Sequence, residues 1–235
     1  MGELLALVRI NVPSVYRDKQ GRVVTHIDEA HVWNIVMKHH KEWRSQDVKV
    51  LYMTKRDLQE DTSLIIEAKD PDALADFLLT HIAPIKYVRG IWVIHLSKMR
   101  FFKVPLEQRA GFYRFTLKLD VLPQHLNTVY ETLSAMKPGR DIMINYIAHS
   151  FQSLWADIIL SVLARSRNHI ETFVEECVLT MEGVMDAEIT HISKTMRLVS
   201  DEEWQEAVGP YFVSPTGEHI KDINPAYDDS LIAGC

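Results

Sequence analysis

The chain has 235 residues, enough for one large domain or two of ordinary size. A hydrophobic content of 47% and a charged content of 25% are typical of globular proteins and exclude a disordered chain. The formal net charge of −6 argues against direct nucleic-acid binding, which needs clustered Lys and Arg. No apolar stretch is long enough for a signal peptide or a membrane span, so we expect a cytoplasmic protein without a membrane partner.

The first half of the chain predicts alternating strands and helices. A long polar loop at residues 13–26 follows the first strand and has no counterpart later. In chain order, the predicted elements are a strand at 4–12, a helix capped by Asp28 that carries Val32, Ile35 and Val36, strands near 47–54 and 62–69, a helix through Leu74 to Ile82, and a strand that carries His95.

The second half predicts the same order of elements. Pro138-Gly139 ends its first helix. In chain order, the predicted elements are a strand at 112–121, a helix at 123–136, strands at 141–149 and 156–164, a helix through Ile170 to Cys177, and a strand that carries His191.

The two halves are related by an internal repeat with an offset of 96 residues. Between Asp61 and Lys98, 8 of 38 positions are identical to the residue 96 positions later, without a gap. The predicted fold is therefore α+β, with two tandem ferredoxin-like βαββαβ units whose antiparallel sheets pack face to face as a pseudo-dimer, like a dimeric α+β barrel. We place the first unit at 1–102, the second at 109–200 and an extended C-terminal tail at 201–235.

The part of the repeat between Ala156 and Val199 resembles a known family. An Asp opens the third strand, a Phe lies in the helix, a Gly-Val step enters the last strand, and a Ser follows within it; these residues are Asp157, Phe173, Gly183-Val184 and Ser193. The pattern resembles the effector-binding domain of the leucine-responsive regulatory (Lrp/AsnC) family. The first unit carries Asp61, Phe77, Val88 and Ser97 in the same places, with Tyr87 instead of the glycine.

The resemblance implies a non-catalytic, small-molecule-binding or regulatory protein. The DNA-reading helix-turn-helix of that family does not precede Leu4, so we expect no DNA binding by the chain itself. Catalytic and phosphate-binding signatures such as GxSxG, HExxH and Walker A are absent from the sequence. Two alternatives stay open: an enzyme of the dimeric α+β barrel type, either haem-dependent or cofactor-free and oxidative, and an interaction module that assembles with DNA-binding relatives.

Equivalent polar residues of the two units are the candidate ligand contacts. Asp at a strand start also stabilises turns, and polar residues on a packed sheet face need no ligand. The candidates are Asp61, Asp157, His95, His191, Ser97 and Ser193. We predict no metal site, because the two histidines lack acidic companions at a ligating spacing, and no cofactor.

Self-association is predicted through the edge of the first unit. Unpaired strand edges invite pairing with another chain, and closed symmetry is the usual outcome. Trp92, Phe101 and Phe102 lie on or beside this edge, where the second unit is more polar. The alternative is that the C-terminal tail covers Trp92 and Phe101 within the chain.

Overall fold

The computed structural model describes residues 4–12, 16–17, 20–24, 31–56, 62–96, 98–102, 110–150 and 156–213. These residues form two compact units. Unit 1 takes the described residues up to His95 and from Ser193 to Ser200, and unit 2 takes the remainder. Both units combine helices with a mainly antiparallel sheet, which confirms the predicted α+β class. Within the described residues, no helix is long and apolar enough to cross a membrane.

Unit 1 follows the order of elements predicted from the sequence. Its elements are β1 (Leu4–Asn11), β2 (Tyr16–Arg17), β3 (Val23–Val24), α1 (His31–Trp43), β4 (Val48–Arg56), β5 (Thr62–Ala68), α2 (Pro71–Phe77) with a π-helical continuation at Leu78–Ile82, and β6 (Gly90–His95). The sheet has the antiparallel order β4-β5-β1-β6. The short strands β2 and β3 pair separately within the loop predicted at 13–26. Asp28, the predicted helix cap, lies outside the described residues.

Unit 2 repeats this order and adds strands at one side. Its elements are β7 (Lys98–Phe102), β8 (Tyr113–Val121), α3 (Leu126–Ala135) after a 3₁₀ turn at Pro123–His125, β9 (Ile142–His149), β10 (Ile158–Ala164), α4 (Arg167–Phe173) with a π-helical continuation at Val174–Val178, β11 (Val184–Arg197), α5 (Asp201–Val208), a 3₁₀ turn at Gly209–Tyr211, and β12 (Phe212–Val213). The sheet has the order β12-β7-β9-β10-β8-β11, and only the short β12–β7 pair is parallel among the described strands.

Equivalent helices of the two units begin with equivalent N-cap hydrogen bonds. The Asp70 carboxylate accepts a hydrogen bond from Ala73 N at 2.8 Å and caps α2. The residue 96 positions later, Ser166, caps α4 by accepting from His169 N at 3.4 Å. Side-chain oxygens at this position satisfy a backbone donor that would otherwise lack a partner. Two different residue types, Asp and Ser, thus serve as the N-cap at equivalent positions of the two units.

Each core forms where helices cover the middle strand of a sheet. All seven residues of β5 and all seven residues of β10 are buried. Because successive residues of a strand face opposite sides of the sheet, both faces of these strands are covered. On the helix side of β5, Leu64 and Ile66 pack with Phe77 in unit 1. On the helix side of β10, Leu160 and Val162 pack in the same way in unit 2.

The boundaries of the units differ from the predicted ones. Each unit includes a short segment that the sequence repeat assigns to the other unit. The predicted first unit reached residue 102, yet Leu96 and the residues of β7 belong to unit 2. In unit 2, β7 pairs with β9. Conversely, residues 193–200 belong to unit 1, where Leu198 N donates to Leu51 O of β4 at 3.0 Å. Each of these two segments therefore belongs to the unit in which it forms its hydrogen bonds, and not to its own half of the sequence.

The C-terminal segment corrects part of the assembly prediction. Phe101 is only 4% exposed, and its ring packs on Trp204 of α5 with 6.1 Å between centroids. Phe102 is half-buried against the unit 2 core. Phe101 is therefore not available as a partner surface, since α5 covers it within the chain, whereas association through Phe102 stays a prediction. Trp92 is 43% exposed, and self-association through its edge stays a prediction.

Candidate functional site

One end of the unit 2 sheet holds an open groove of about 560 Å³. It lies where β8 and β9 begin and β10 ends, so three loops converge on it. This volume is within the range of small-molecule sites. The residues that line the groove are Ala110, Phe112, Pro138, Gly139, Arg140, Ile142, Met143 and Arg165.

The groove has an apolar base. Phe112 is 7% exposed and packs with the fully buried Leu163, and Met143 packs against both. Ile142 at the start of β9 is also buried at 7% exposure. Apolar surface in a concave site is the usual source of affinity for small organic ligands, while a few polar groups fix their orientation.

Arg165 is held in place by three contacts. Its guanidinium lies 4.6 Å from the centroid of the Phe112 ring, a cation–π distance. Its Nε forms an ion pair with Asp141 Oδ1 at 3.1 Å, and its backbone N donates to Asp141 O at 3.1 Å. Gly111 has a φ of +76°, and a Cβ there would lie 3.5 Å from Arg165 Nη1. Glycine thus supplies the left-handed backbone, while a Cβ at this distance would only make an ordinary van der Waals contact with the guanidinium.

Arg140 is the second cation of the groove. It is exposed and has no ion pair, hydrogen bond or ring contact with any described residue. No acidic residue lines the groove among the described residues. The groove therefore has two guanidinium groups, those of Arg140 and Arg165, beside one carboxylate, that of Asp141. Of the two arginines, Arg165 forms the ion pair with Asp141. The site carries one positive charge that the described residues do not balance.

The corresponding corner of unit 1 lacks this unbalanced charge. Strand registers align the two corners, because Val48 pairs with Ala68 as Ile142 pairs with Ala164. In unit 1, Lys69 Nζ lies 3.4 Å from Asp47 Oδ1, and Lys69 N donates to Asp47 O at 2.8 Å, so the repeat keeps the ion pair. The position of Arg140 is occupied by Gln46. Among the described residues of these two corners, a cation without a partner therefore stands beside the ion pair in unit 2 alone.

A second cluster of unit 2 fixes β7 to α3. The Glu131 carboxylate binds Lys98 Nζ at 2.5 Å and Arg100 Nη1 at 2.9 Å. Both cations also lie over the ring of Tyr130, at 4.5 Å and 5.4 Å from its centroid. Hydrogen bonds from Lys98 and Arg100 hold the pKa of the Glu131 carboxyl below its usual value. All these groups have partners within the cluster, so we assign it a structural role.

His149 lies at the buried side of this cluster. It is 7% exposed, and its ring meets that of Tyr130 edge to face with 6.1 Å between centroids. Burial lowers the pKa of the imidazole below its ordinary value of 6.5, the Lys98 charge adds to this effect, and the Asp157 carboxylate opposes it. The folded state therefore favours neutral His149.

This shift predicts a pH dependence of stability. The unfolded chain takes up a proton on His149 near pH 6.5, whereas the folded chain resists it until a lower pH. The free energy of unfolding should therefore fall as pH drops below about 6.5. Urea unfolding at pH 7 and pH 5.5 should show a smaller difference for His149→Gln than for the wild type. His95→Gln is the matched control at an exposed histidine, and an equal effect of both substitutions would contradict the assignment.

Of the candidate ligand residues predicted from the sequence, those that the structure describes do not line the groove. Asp61 and Ser97 lie outside the described residues. The Asp157 carboxylate accepts a hydrogen bond from Val121 N at 2.8 Å, as expected of an Asp that stabilises a strand start. Ser193 donates to Lys55 O at 3.3 Å. As ligand contacts, all of these residues stay predictions.

The two predicted histidines lie in different surroundings. His95 is exposed at the end of β6 in unit 1. His191 is half-buried in unit 2 against the ring of Phe115, with 5.2 Å between centroids. Nothing brings a further ligating group to either one, since the described residues contain no group of three or more His, Cys, Asp or Glu that could hold a metal ion.

The sequence reasoning missed both arginines of the groove. Its search for candidates used residues that the two units share, whereas Arg140 is a residue in which they differ. The available signal was an arginine directly after the Pro138-Gly139 break, where unit 1 has Gln46. A residue that differs between the two units, such as Arg140, can thus be a better candidate for a ligand contact than a residue that the units share.

Haem, which one alternative function requires, does not fit this groove. The lining residues of the groove include no histidine, cysteine or tyrosine that could be an axial ligand. We therefore derive no reaction through haem at this site.

Comparison with known proteins gives structural likenesses only. The sequence matches no known family profile and no curated protein. A protein from Lactobacillus acidophilus NCFM, assigned provisionally to the monooxygenases by its name, has a TM-score of 0.46 at 11% identity, covering 82% of this chain and 93% of its own. An anthrone oxidase-like protein has a TM-score of 0.49 at 9% identity, covering 83% and 94%. A chlorite dismutase from Candidatus Nitrospira defluvii has a TM-score of 0.46 at 11% identity, covering 86% and 94%.

Likeness at this level carries no functional argument. The resemblance to the leucine-responsive family therefore stays a prediction, and the function has to be argued from the groove itself.

Proposed function

We propose that this chain is a small-molecule-binding protein with its ligand site in the unit 2 groove, and that each unit is a ferredoxin-like fold. The observation that carries the proposal is the groove of about 560 Å³ with a buried apolar base and, at its side, Arg140, which has no partner among the described residues. The ferredoxin-like assignment is supported by the order β-α-β-β-α-β and the strand order β4-β5-β1-β6 of unit 1.

Burial of a ligand's apolar surface supplies the driving force for binding. Each Å² of apolar surface removed from water contributes roughly 25 cal/mol. Orientation then comes from the polar groups that converge on the groove. A cation without a protein partner is well suited to this role, since a ligand anion need not displace an existing ion pair.

A screen of small organic acids and neutral aromatic compounds by two-dimensional NMR tests the proposal. Bound compounds should shift the amide signals of residues 110–112 and 139–143. The groove can be blocked at Gly139, which lines it, because a Cβ there meets no atom within 4 Å. Gly139→Phe should abolish these shifts, whereas Leu79→Phe, at an exposed site of unit 1, should leave them unchanged.

The same compounds separate binding from oxidation. A binding protein returns its ligand unchanged, whereas a cofactor-free oxidase or monooxygenase consumes oxygen together with the ligand. We expect no oxygen uptake above the level of a Gly139→Phe control. Uptake that requires the open groove would favour the oxidative enzyme. If no compound shifts the groove signals, the proposed site is wrong.

A further inference from the structure

We infer that the ligand of the unit 2 groove is an organic monocarboxylate with a flat apolar body. The inference rests on the proposed function, since it names the ligand class of the same groove. Three observations carry it: the charge balance of the groove, the chemistry of its base, and the difference between the two copies of the repeat.

The charge balance selects a single negative charge. Arg165 is already paired with Asp141 through its Nε at 3.1 Å, and Arg140 has no partner among the described residues. A ligand with one carboxylate would neutralise the remaining positive charge. A dianion would bring a second negative charge near Asp141, and a neutral ligand would leave Arg140 unpaired. A guanidinium also matches a carboxylate in geometry, because two parallel N–H groups can bind its two oxygens.

The base of the groove selects an apolar body. Met143 offers apolar surface beside the charged side, and Phe112 lies beneath the Arg165 guanidinium. An aromatic ring can pack on these side chains while its carboxylate reaches Arg140. A sugar or a polyphosphate would instead place hydroxyl groups or charges against apolar side chains and lose their hydration. The groove thus favours aromatic and other flat apolar acids.

The comparison between the units shows that the free cation is not required by the fold. Unit 1 keeps the Lys69–Asp47 ion pair and its backbone hydrogen bond, but has Gln46 where unit 2 has Arg140. The corner therefore folds with a neutral side chain at this position. Replacing Arg140 with glutamine recreates the unit 1 arrangement, and should change binding without changing the local backbone.

Calorimetric titration of the full chain with 2-naphthoate and with 2-naphthamide tests the inference. The two probes share shape and apolar surface and differ in charge. Arg140 is exposed, and an exposed ion pair contributes up to about 1 kcal/mol, so we expect the wild type to bind the acid about fivefold more tightly than the amide. Arg140→Gln should abolish this preference, and Arg140→Lys should retain part of it. Arg167→Gln, at an exposed arginine paired with Glu171 outside the groove, is the matched control.

Each result gives a decision. Equal affinity for acid and amide in the wild type, or an unchanged preference in Arg140→Gln, would overturn the monocarboxylate inference, while binding that Gly139→Phe blocks would still support the proposed function. Equal loss in Arg140→Gln and Arg167→Gln would show a general charge effect and would also overturn the inference. If neither probe binds and no other compound shifts the groove signals, the proposed function fails together with the inference.

Discussion

Replacing Tyr130 with alanine is expected to lower the free energy of unfolding by about 3–5 kcal/mol, the usual cost of removing a buried aromatic ring. Tyr130 is fully buried at 0% exposure in the unit 2 core. Its ring also makes cation–π contacts with Lys98 and Arg100 and packs edge to face with the ring of His149. The substitution would therefore leave a cavity and remove the surface on which β7 is held.

The phenylalanine variant separates the ring from the hydroxyl. The Tyr130 hydroxyl is buried and makes no hydrogen bond with any described residue. Burial raises its pKa to about 12, against the opposing effects of Arg100 and of the nearby Ser134 hydroxyl. Since a buried hydroxyl without a partner stabilises nothing, Tyr130→Phe should be neutral or slightly stabilising. Chemical denaturation of both variants measures this, and a Tyr130→Phe variant as unstable as Tyr130→Ala would contradict the account.

A methyl group at Gly183 is expected to cost about 2–4 kcal/mol, the sum of backbone strain and overpacking. Gly183 has a φ of +91°, a conformation that other residues rarely adopt. A Cβ built there would lie 2.2 Å from His125 Cβ and 2.5 Å from His125 Cγ, too close without a backbone shift. The Gly183 carbonyl also accepts a hydrogen bond from Leu122 N at 2.8 Å, which limits the shift that the turn allows.

Two controls isolate these contributions. Gly139→Ala places a methyl group in open space at an ordinary backbone conformation, so its stability should stay within about 1 kcal/mol of wild type. Tyr87 occupies the position equivalent to Gly183 in unit 1 and already has a φ of +76°. Tyr87→Gly should relieve strain but lose the contacts with His31 and Lys86, and should therefore have a small net effect. Thermal unfolding that ranks Gly183→Ala with Gly139→Ala would refute the steric argument.

Local patterns in the sequence were sufficient for most elements of the fold. The strand predicted at 62–69 is observed at Thr62–Ala68, and the strand predicted at 156–164 at Ile158–Ala164. Both strands are predictable because one face of each is apolar, and every residue of both strands is buried, including the polar Ser63 and Glu67 on the other face of the first strand. The repeat then carried the prediction from one half to the other, since corresponding residues such as Asp70 and Ser166 perform the same local task.

Local sequence patterns did not predict that Leu96 and residues 98–102 belong to unit 2 and residues 193–200 to unit 1. Residues 98–102 have a strand pattern, but a pattern of alternating side chains does not specify the strand with which a segment pairs. Pairing of β7 with β9 depends on contacts far along the sequence, such as those of Glu131 with Lys98 and Arg100. The predicted boundary at residue 102 therefore followed the sequence repeat rather than the packing.

The groove was missed for a related reason. Its residues come from separate loops, and Phe112 and Arg165 are 53 positions apart in the sequence (165 − 112). Neither residue belongs to a recognisable motif. Only the folded chain brings the Arg165 guanidinium over Phe112 and leaves Arg140 beside it without a partner.

A crystal structure of the chain with bound 2-naphthoate tests the central claim most directly. We expect the naphthalene ring against Met143, with the carboxylate at about 3 Å from the Arg140 guanidinium, the usual distance of a hydrogen bond between charged groups. Unit 1 should hold no ligand at the corresponding corner, where Gln46 replaces the arginine. Electron density for the ligand at another place, with the unit 2 groove empty, would contradict the account.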